Sequence, residues 1–544
     1  MIKKIWNIWA ALLTVVFFAS AAVVTNYAAY FQLFEELFER IDSDFVDEVE
    51  KDQLLYVGMK AVASSLDPFS NFYDAAETEE RKKKWSGVLK VGVGVDIFSR
   101  SDLPVVYGVD QRSPAEAADI RIGDIILELN GVSTKGVPLD SARAWLKGEL
   151  NSTVSLKLQR PMVGHIEREL VREEIANVVV PYYGMIDDSI GYVKMRHFYG
   201  KAGLAVRRAV NGLLANPAVK GVVMDMRDNS GGSVRQAVDM ASVFLPEGDL
   251  VYYRQGKKGR KDYVTSKEPS DLDMPLVFLS NSSTASAAEL VLAAMQDYDR
   301  GVIMGQESYG KALVQSTYYL GDTTSIYFTT SRYHSPSGRC LQKLDYRNTY
   351  KGQKAKPYAE EEKQDHRTTT QRLVRDYEAV QPDVELPEKE RIDFLRYLGK
   401  SLPVFDWCNS YRNTIEAELG ARQFAISEDD FSDFISFAER GGFDFRIKGT
   451  KELSKLEASL EGDGAGPEFS KVIASLEKRL NHRKKALLYD YKNEIMDLLA
   501  DQIVKRYYGG EGKYERRLET HPEIAEAHKL LLNNSRYERL LNRP

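Results

Sequence analysis

The pattern of hydrophobic and polar positions differs from one stretch of the chain to the next. Aromatic and aliphatic residues recur every three or four positions among charged ones at Phe31, Phe34, Phe38, Ile41 and Phe45, which predicts an amphipathic helix that needs a partner surface. Short β-branched runs broken by Gly and Asp follow over residues 87–161. They predict a β-rich module with one helix near 140–150, joined to the next region by a strand-like linker around 160–169.

Strands alternate with helices over residues 162–386. The apolar runs IGYVKM, GVVMDMR, PLVFLS and GVIMG predict strands separated by helices, which is typical of an α/β layer domain. Residues 26–86 are predicted to be helical. Beyond 387 the chain becomes helical and charged, with a capping box from Ser427 to Asp430 and helices near 468–483 and 484–507. We predict a C-terminal helical accessory domain over 387–544.

The N-terminal 25 residues have the layout of an export signal. Lys3 and Lys4 precede a nearly charge-free segment, residues 5–24, that contains the small residues 19–22. The small residues favour a cleaved signal peptide, whereas the length favours an uncleaved anchor in the inner membrane, and both alternatives stay open. Positive charge before the segment sends the rest of the chain out. We expect the protein in the periplasm or cell envelope.

Composition narrows the classes of partner and cofactor. A chain of 544 residues is too long for one core, and its net charge of −6 comes without a long basic run, which argues against nucleic acid. The two cysteines, Cys340 and Cys408, exclude a disulfide scaffold and a Cys-rich zinc site. No metal-ligand spacing is evident and no cofactor is predicted. The pairing of the cysteines and the oligomeric state do not follow from the sequence.

Three segments carry candidate chemistry. Ser286 follows the strand PLVFLS and precedes a helix, where its hydroxyl would be exposed near the positive end of the helix dipole, although such a serine also fits an ordinary helix cap. In an extended chain Lys311 shares a face with Leu313, and desolvation there would favour the neutral amine of a base; an ordinary surface lysine is the alternative. The paired Gly231 and Gly232 let backbone N–H groups approach a ligand.

Taken in order, DMRDNSGG, SSTASAAE and GQESYGKALVQ resemble the carboxyl-terminal processing peptidases, or tail-specific proteases, over about residues 31–385. The resemblance implies a crotonase- and ClpP-like α/β core and a serine endopeptidase with Ser286 as nucleophile and Lys311 as base. It also implies that Gln315 orients the lysine. The implied oxyanion hole consists of backbone N–H groups of Ala287 and of either Gly231 or Gly232.

The sequence departs from the family pattern at Thr284, Ala288 and Ala312, none of which is a reacting group. Asp383, in QPDVEL, lacks the usual Gly-rich approach and leaves the shape of that edge open. His197 and His334 are expected to be packed or surface residues rather than members of a Ser/His/Asp triad.

Residues 87–161 resemble a PDZ domain through VGVGV, SPAEAA and IGDIILELNG. The resemblance implies that Gly92, Val93 and Gly94 form a loop that binds the free C-termini of polypeptide substrates. Asp119 is expected to occupy a left-handed turn. Two other functions stay open: an inactive chaperone that holds exported polypeptides, and an acyl-CoA enzyme of the crotonase type.

Overall fold

The structure of the protein, a computed structural model, describes residues 27–321, 323–387, 393–414, 420–441, 447, 450–462 and 467–543. The predicted export signal or anchor, with its apolar segment 5–24, lies outside the described residues. Within the described ranges we find no helix that combines the length and the apolar character needed to cross a bilayer. The chain forms two compact units.

The smaller unit contains the described residues up to Thr78, together with 315–329 and 346–354. Its first elements are helix α1 (27–44), helix α2 (Lys51–Leu66) and strand β1 (Asn71–Tyr73). Glu77 holds α2 in place, because its carboxylate accepts hydrogen bonds from the Tyr56 hydroxyl at 2.7 Å and from the Lys60 ammonium at 3.1 Å. The amphipathic helix predicted from the phenylalanine spacing is confirmed as α1.

The larger unit begins within helix α3 (Ala75–Ser86) and continues into a β-rich module. The elements of this module are β2 (Val88–Gly92), β3 (Val95–Arg100), β4 (Leu103–Val109), α4 (Pro114–Ala117), β5 (Ile125–Leu129), β6 (Val132–Ser133), α5 (Leu139–Leu146), β7 (Thr153–Arg160), β8 (Gly164–Val171) and β9 (Glu173–Ala176). The antiparallel sheet runs β3-β4-β5-β7-β8, with β6 beside β5, and β2 pairs with β9. Asp119 has a φ of 56°, the left-handed conformation predicted for it.

The strand-like linker predicted around residues 160–169 is wrong. That stretch forms the turn and most of the second strand of the hairpin β7–β8, in which Thr153 faces Val171 and Arg160 faces Gly164. A strand that pairs and a strand that merely connects have the same sequence pattern, so the alternation alone could not separate them. The module therefore extends past 161 to Ala176, which pairs with Val88 at the other end of the same module.

The α/β core follows in the larger unit. Its elements are β10 (Tyr182–Met185), β11 (Ile190–Lys194), α6 (Ala202–Leu214), β12 (Gly221–Asp225), α7 (Val234–Ala241), β13 (Leu250–Gly256), β14 (Gly259–Val264), β15 (Leu276–Ser280), α8 (Ala287–Asp297), β16 (Val302–Gly305), β17 (Leu313–Leu320), β18 (Thr324–His334), β19 (Leu344–Asp345), β20 (Lys356–Pro357), β21 (Asp365–Arg367), β22 (Leu373–Arg375) and β23 (Val384–Glu385). Strands β17 and β18 also run through the smaller unit, where Asn71–Tyr73 pairs with residues 325–327.

The central sheet has the order β10-β11-β12-β15-β16-β23, and only β10 is antiparallel to its neighbour. Strands β11, β12, β15 and β16 are buried along their whole length, as expected for a parallel sheet covered on both faces. Helices α6, α7 and α8 supply the apolar side chains that pack against one face. The predicted α/β class is confirmed.

The C-terminal region is helical, as predicted. Its elements are α9 (Asp393–Leu398), α10 (Leu402–Thr414), α11 (Glu428–Arg440), α12 (Thr450–Gly462), α13 (Pro467–Asp490), α14 (Lys492–Thr520), α15 (Pro522–Leu532) and α16 (Asn534–Leu540). The capping box at Ser427 and Asp430 is confirmed. The predicted helix boundary at 483/484 is wrong, because α13 continues through Asp490 and the break falls at Tyr491.

The last helices cover the second face of the central sheet. Ile524, Leu530 and Tyr537 pack with strand residues such as Val277 and Met304 in one buried cluster. The Tyr537 hydroxyl also accepts from Leu276 N at 2.9 Å and donates to Leu276 O at 3.1 Å. The end of the helical region is therefore part of the α/β core rather than a separate appendage.

The β-rich module contacts the helical region directly. Arg100 Nη2 donates to Asp406 Oδ2 at 2.9 Å, and the rings of Phe98 and Phe405 meet edge to face with centroids 5.3 Å apart. Such contacts position the module against helix α10.

Candidate active site

Ser286 lies where strand β15 ends and helix α8 begins, as predicted. Its φ and ψ are 59° and −117°, a conformation that costs a non-glycine residue on the order of 1–3 kcal/mol. The surrounding chain is fixed, since α8 is buried along its whole length and Ala285 N donates to Asn229 O at 2.9 Å. The hydroxyl-bearing residue is therefore held at the positive end of a buried helix.

A buried carboxylate joins the nucleophile segment to the lysine segment. Glu289 is fully buried, and its Oε2 accepts from Ser286 N at 2.7 Å and from Lys311 N at 2.9 Å. Its Oε1 accepts from Gly310 N at 2.6 Å and from the Ser308 hydroxyl at 2.5 Å. Because one oxygen receives both N–H groups, the backbones of Ser286 and Lys311 lie side by side.

Burial raises the pKa of Glu289 to about 7, and the four donors oppose that shift because they favour the ionised form. The group therefore titrates near neutral pH. A proton on either oxygen would have to face an N–H or O–H donor and would cost part of these contacts, but the raised pKa means that removal of the buried charge outweighs that loss.

Tyr333 completes this connection from the carbonyl side. Its buried hydroxyl lies 3.0 Å from Ser286 O and also contacts Lys311 O. The backbone of Tyr333 donates to Ala312 O at 3.0 Å. Both peptide groups that bear the candidate reacting residues are thus fixed through their N–H and their C=O.

The paired glycines lie against Ser286. Gly231 and Gly232 have φ values of 92° and 142°, and a Cβ added to Gly231 would lie 2.9 Å from Ser286 Cβ. Gly231 N donates to Asn229 Oδ1 at 2.9 Å, whereas we find no hydrogen bond from Gly232 N to any described residue. Ala287 is the first residue of α8, a position whose N–H has no partner within the helix.

Gln315, predicted to orient Lys311, belongs to the smaller unit. Its Nε2 donates to the Thr329 hydroxyl at 3.0 Å. The predicted peptide-binding loop lies in the larger unit, where Gly92, Val93 and Gly94 are buried beside a cavity of about 210 Å³. Basic side chains also line this cavity: Lys90, Arg143 and Lys147.

The departures from the family pattern have structural reasons. The Thr284 hydroxyl donates to Met226 O at 3.1 Å and accepts from Asn281 N at 3.0 Å, so it fixes the loop before Ser286. Asp383 accepts from Ile303 N at 2.8 Å and from Gln296 Nε2 at 2.8 Å. This carboxylate gives the edge beside β16 a defined shape.

The predicted packing of the histidines is confirmed. His197 is buried and bonds to Asn177, and His334 stacks on Tyr253 with ring centroids 4.8 Å apart. Cys340 and Cys408 are both buried free thiols.

Sequence reasoning missed Glu289 and Tyr333. The Ser-x-x-Glu spacing of Ser286 and Glu289 is a capping-box pattern, which could have indicated the contact of Glu289 with Ser286 N. Nothing in this spacing indicates the contacts of Glu289 with Gly310 and Lys311. We find no spacing that would have indicated Tyr333.

Comparisons with known proteins agree with this arrangement. The sequence pattern of "Peptidase family S41" matches residues 189–351, that of "PDZ domain" matches 105–160, and that of "Probable PDZ-protease, C-terminal helical domain" matches 394–531. The carboxyl-terminal-processing protease of Synechocystis sp. is 30% identical over 301 residues, which cover 53% of this chain and 69% of that protein. The chain belongs to the carboxyl-terminal processing proteases.

Other relatives have the same family name. Carboxy-terminal processing protease CtpA of Bacillus subtilis is 28% identical over 314 residues, 58% of this chain and 67% of that protein. The solved photosystem II D1 C-terminal processing protease is 24% identical, with 65% of this chain and 92% of that chain covered and a TM-score of 0.35. This processing protease is therefore a serine peptidase with a PDZ domain, and the acyl-CoA alternative is wrong.

Glu289→Gln tests the buried carboxylate of this processing protease through the pH dependence of stability. Because the folded-state pKa of about 7 exceeds the ordinary 4.5, the folded state binds the proton more tightly than the unfolded chain does. The stability that Glu289 contributes is fully present below about pH 4.5 and declines until about pH 7. The free energy of unfolding of wild type relative to Glu289→Gln should fall by on the order of 3 kcal/mol across this window.

Thermal or denaturant unfolding at pH 4.5, 6 and 8 measures the difference. Glu247→Gln, at an exposed position, is the matched control and should show no such trend. A Glu289→Gln difference that is constant with pH would contradict the raised pKa.

Proposed function

We propose that the protein hydrolyses peptide bonds of exported polypeptides with Ser286 as nucleophile and Lys311 as general base. The observation that carries this proposal is the shared carboxylate: Glu289 Oε2 accepts from both Ser286 N and Lys311 N. A nucleophile and its base must be held within reach of each other before substrate binds. Here a buried acceptor fixes the two backbones from which their side chains extend.

The proposed reaction has two halves. The neutral Lys311 amine takes the Ser286 hydroxyl proton while Oγ bonds to the carbonyl carbon of the substrate. The lysine then donates that proton to the departing amine, which leaves an acyl-enzyme. Water attacks the ester after giving a proton to Lys311, and return of that proton to Ser286 releases the new carboxyl terminus.

The proposed oxyanion hole uses the N–H groups of Ala287 and Gly232. Gly231 N is already committed to Asn229 Oδ1 at 2.9 Å, which leaves Gly232 as the better second donor. An N–H at the first position of a helix also adds the helix dipole to the stabilisation of the developing charge. We further propose that Gln315, four residues beyond Lys311, orients the lysine, on the strength of the family resemblance and the strand alternation.

We propose that the PDZ domain recruits substrates through their free C-termini. A carboxylate is costly to desolvate unless several donors meet it, and the loop Gly92–Gly94 can present backbone N–H groups without side chains in the way. The lining residues Arg143 and Lys147 add positive charge to the same cavity. Both features favour an anionic chain terminus.

Paired substitutions test the Ser/Lys assignment. Ser286→Ala should abolish cleavage of an unfolded protein substrate because it removes only the attacking oxygen, while the exposed Ser282→Ala should retain it.

Lys311→Arg should also be inactive, because arginine stays protonated, and activity of wild type should fall on acidification as the amine gains a proton. Rates from fluorogenic peptides, with the exposed Lys257→Arg as control, measure this; an active Lys311→Arg enzyme would refute a lysine base.

Peptide affinity tests C-terminal recruitment. On the full-length Ser286→Ala protein, a peptide with a free C-terminus should bind roughly tenfold or more tightly than its amide, because a charge-assisted hydrogen bond contributes about 1.5–3 kcal/mol. Gly94→Ala should remove the difference, since the new Cβ would lie 2.2 Å from Ser113 Cβ; Gly136→Ala, at a similar φ of 73° but in open space, should keep it. Calorimetry that gives equal affinities for both peptides would contradict recruitment.

Excision of the module separates two roles. Val88 and Ala176 are paired neighbours, so removal of residues 89–175 leaves ends that a short linker joins. Loss of all cleavage indicates an activator, and unregulated cleavage indicates a lid.

We also propose export through residues 3–24, which support it by their charge and apolar pattern. The chain should fractionate with the cell envelope, and mass spectrometry of its mature N-terminus distinguishes cleavage from anchoring. Recovery of the unprocessed chain in the cytosolic fraction alone would overturn this proposal.

A further inference from the structure

A second large cavity lies beside the glycine turn, outside the catalytic groups. It has a volume of about 630 Å³, within the range of sites that bind small ligands or short peptide segments. Ser230 lines it, and the next residue, Gly231, contacts the nucleophile, since a Cβ added there would lie 2.9 Å from Ser286 Cβ. A polypeptide bound at Ser286 would therefore pass close to this cavity.

The cavity carries an excess of positive charge. Five cationic side chains line it against three acidic ones, Asp225, Asp228 and Glu523; the five are Lys84, Lys194, Arg196, Arg227 and Arg517. The buried Asp225 binds both Lys194 at 3.1 Å and Arg227 at 2.6 Å. Burial alone would raise the pKa of Asp225, but the charges of Arg227 and Lys194 outweigh it and hold the pKa well below its usual range. These three groups form a fixed, ionised floor.

Arg196 and Lys84 also line the cavity but form no ion pair with Asp225. Both are exposed, and among the residues that the structure describes neither has an acidic partner within 4.0 Å. The Lys84 ammonium lies 5.4 Å from the centre of the Tyr199 ring. The exposed Asp228 of the same lining likewise has no cationic partner within 4.0 Å among the described residues, and two cations against this one carboxylate leave an excess of positive charge that attracts an anion.

The histidines of the cavity do not change its charge near neutral pH. Burial lowers the pKa of His197 to about 4 and that of His521 to about 3, with nearby cations adding to both shifts. The positive charge of the cavity therefore comes from lysine and arginine side chains. His521 Nδ1 is buried without a hydrogen-bond partner within the described protein, and Glu523 Oε2 lies 3.8 Å from it.

We propose that this cavity is a carboxylate-binding subsite for the substrate polypeptide, a few residues from the bond that Ser286 attacks. The inference rests on the proposed function and adds a specificity determinant to it. The carboxylate is either the free C-terminus of a short departing segment or an acidic side chain, because Arg196 and Lys84 recognise the same chemistry in both.

The subsite also gives the C-terminal helices a role in substrate choice. Arg517 from α14 and His521 with Glu523 at the start of α15 form one wall of the cavity. Glu523 is fixed to the floor through Arg227 at 3.3 Å, and Arg517 is held by Asp501 at 2.8 Å. The helical region thus determines which substrate carboxylate fits beside the catalytic groups.

Two pairs of peptides test the proposal. The first pair differs only in a free or amidated C-terminus two to four residues beyond the cleaved bond, and is assayed in the Gly94→Ala background so that the PDZ loop does not contribute. The second pair is amidated throughout and carries Glu or Gln at one of those positions. We expect at least one pair to show a preference in kcat/KM of tenfold or more for the carboxylate, and Arg196→Glu to reduce that preference at least fivefold.

Arg208→Glu is the matched control, because Arg208 is an exposed arginine outside the cavity and the charge change is the same. A preference confined to the first pair identifies the chain terminus as the ligand, and one confined to the second identifies an acidic side chain. The absence of a preference in both pairs, or a preference that Arg196→Glu and Lys84→Glu leave intact, would overturn the subsite.

Calorimetry distinguishes a failure of the proposed subsite from a failure of the Ser/Lys assignment. The same peptides are titrated into the Ser286→Ala, Gly94→Ala protein with and without Arg196→Glu, which requires no turnover and keeps the PDZ loop from contributing. Loss of carboxylate-dependent affinity on adding Arg196→Glu supports the subsite even if Lys311 proves not to be the base, and unchanged affinity contradicts it.

Discussion

The geometry of the active site depends on a single carboxylate that is isolated from water. Ionised Glu289 can remain in the core only because four donors converge on it, and removal of any one would leave part of a buried charge unsatisfied. The same four contacts fix Ser286 in its left-handed conformation and bring Lys311 beside it. The arrangement extends further, because the Ser308 hydroxyl that donates to Glu289 accepts from Val380 N at 2.9 Å. Strain at Ser286 is thus balanced by contacts from three separate chain segments.

The larger unit integrates regions that differ in sequence texture. The central sheet receives helices from its own domain on one face and α15 and α16 on the other. The PDZ domain packs on α10 through Arg100 and Phe98, and the same helical region forms a wall of the anion-attracting cavity. The helical region therefore shares surfaces with both the α/β core and the PDZ domain.

Much of this arrangement follows from the sequence, and the rest depends on contacts between distant segments. The apolar runs predicted the α/β layer domain because buried strands and amphipathic helices have different periods. Ser286, Lys311 and the paired glycines stood out through their positions at element ends. The hairpin β7–β8 was not predicted, because the sequence pattern of a strand does not show which strand it pairs with. The uninterrupted α13 was divided too early, since the local charge pattern changes near 484 but no Gly or Pro ends the helix there.

The coverage of the sheet by α15 and α16 has a consequence for biosynthesis. Ribosomes deliver the chain from its N-terminus, and domains tend to fold as their residues emerge. The apolar face of β12, β15 and β16 stays unprotected until residues 518–541 have been made, because Leu518, Ile524 and Leu541 are among the side chains that bury it. The strand that precedes Ser286 ends at Ser280, some 240 residues before Thr520, where the last helices of the chain's described part begin to cover the sheet. The hydrophobic core of this fold is therefore complete only after residues 518–541 have been made, although its strands come much earlier in the sequence.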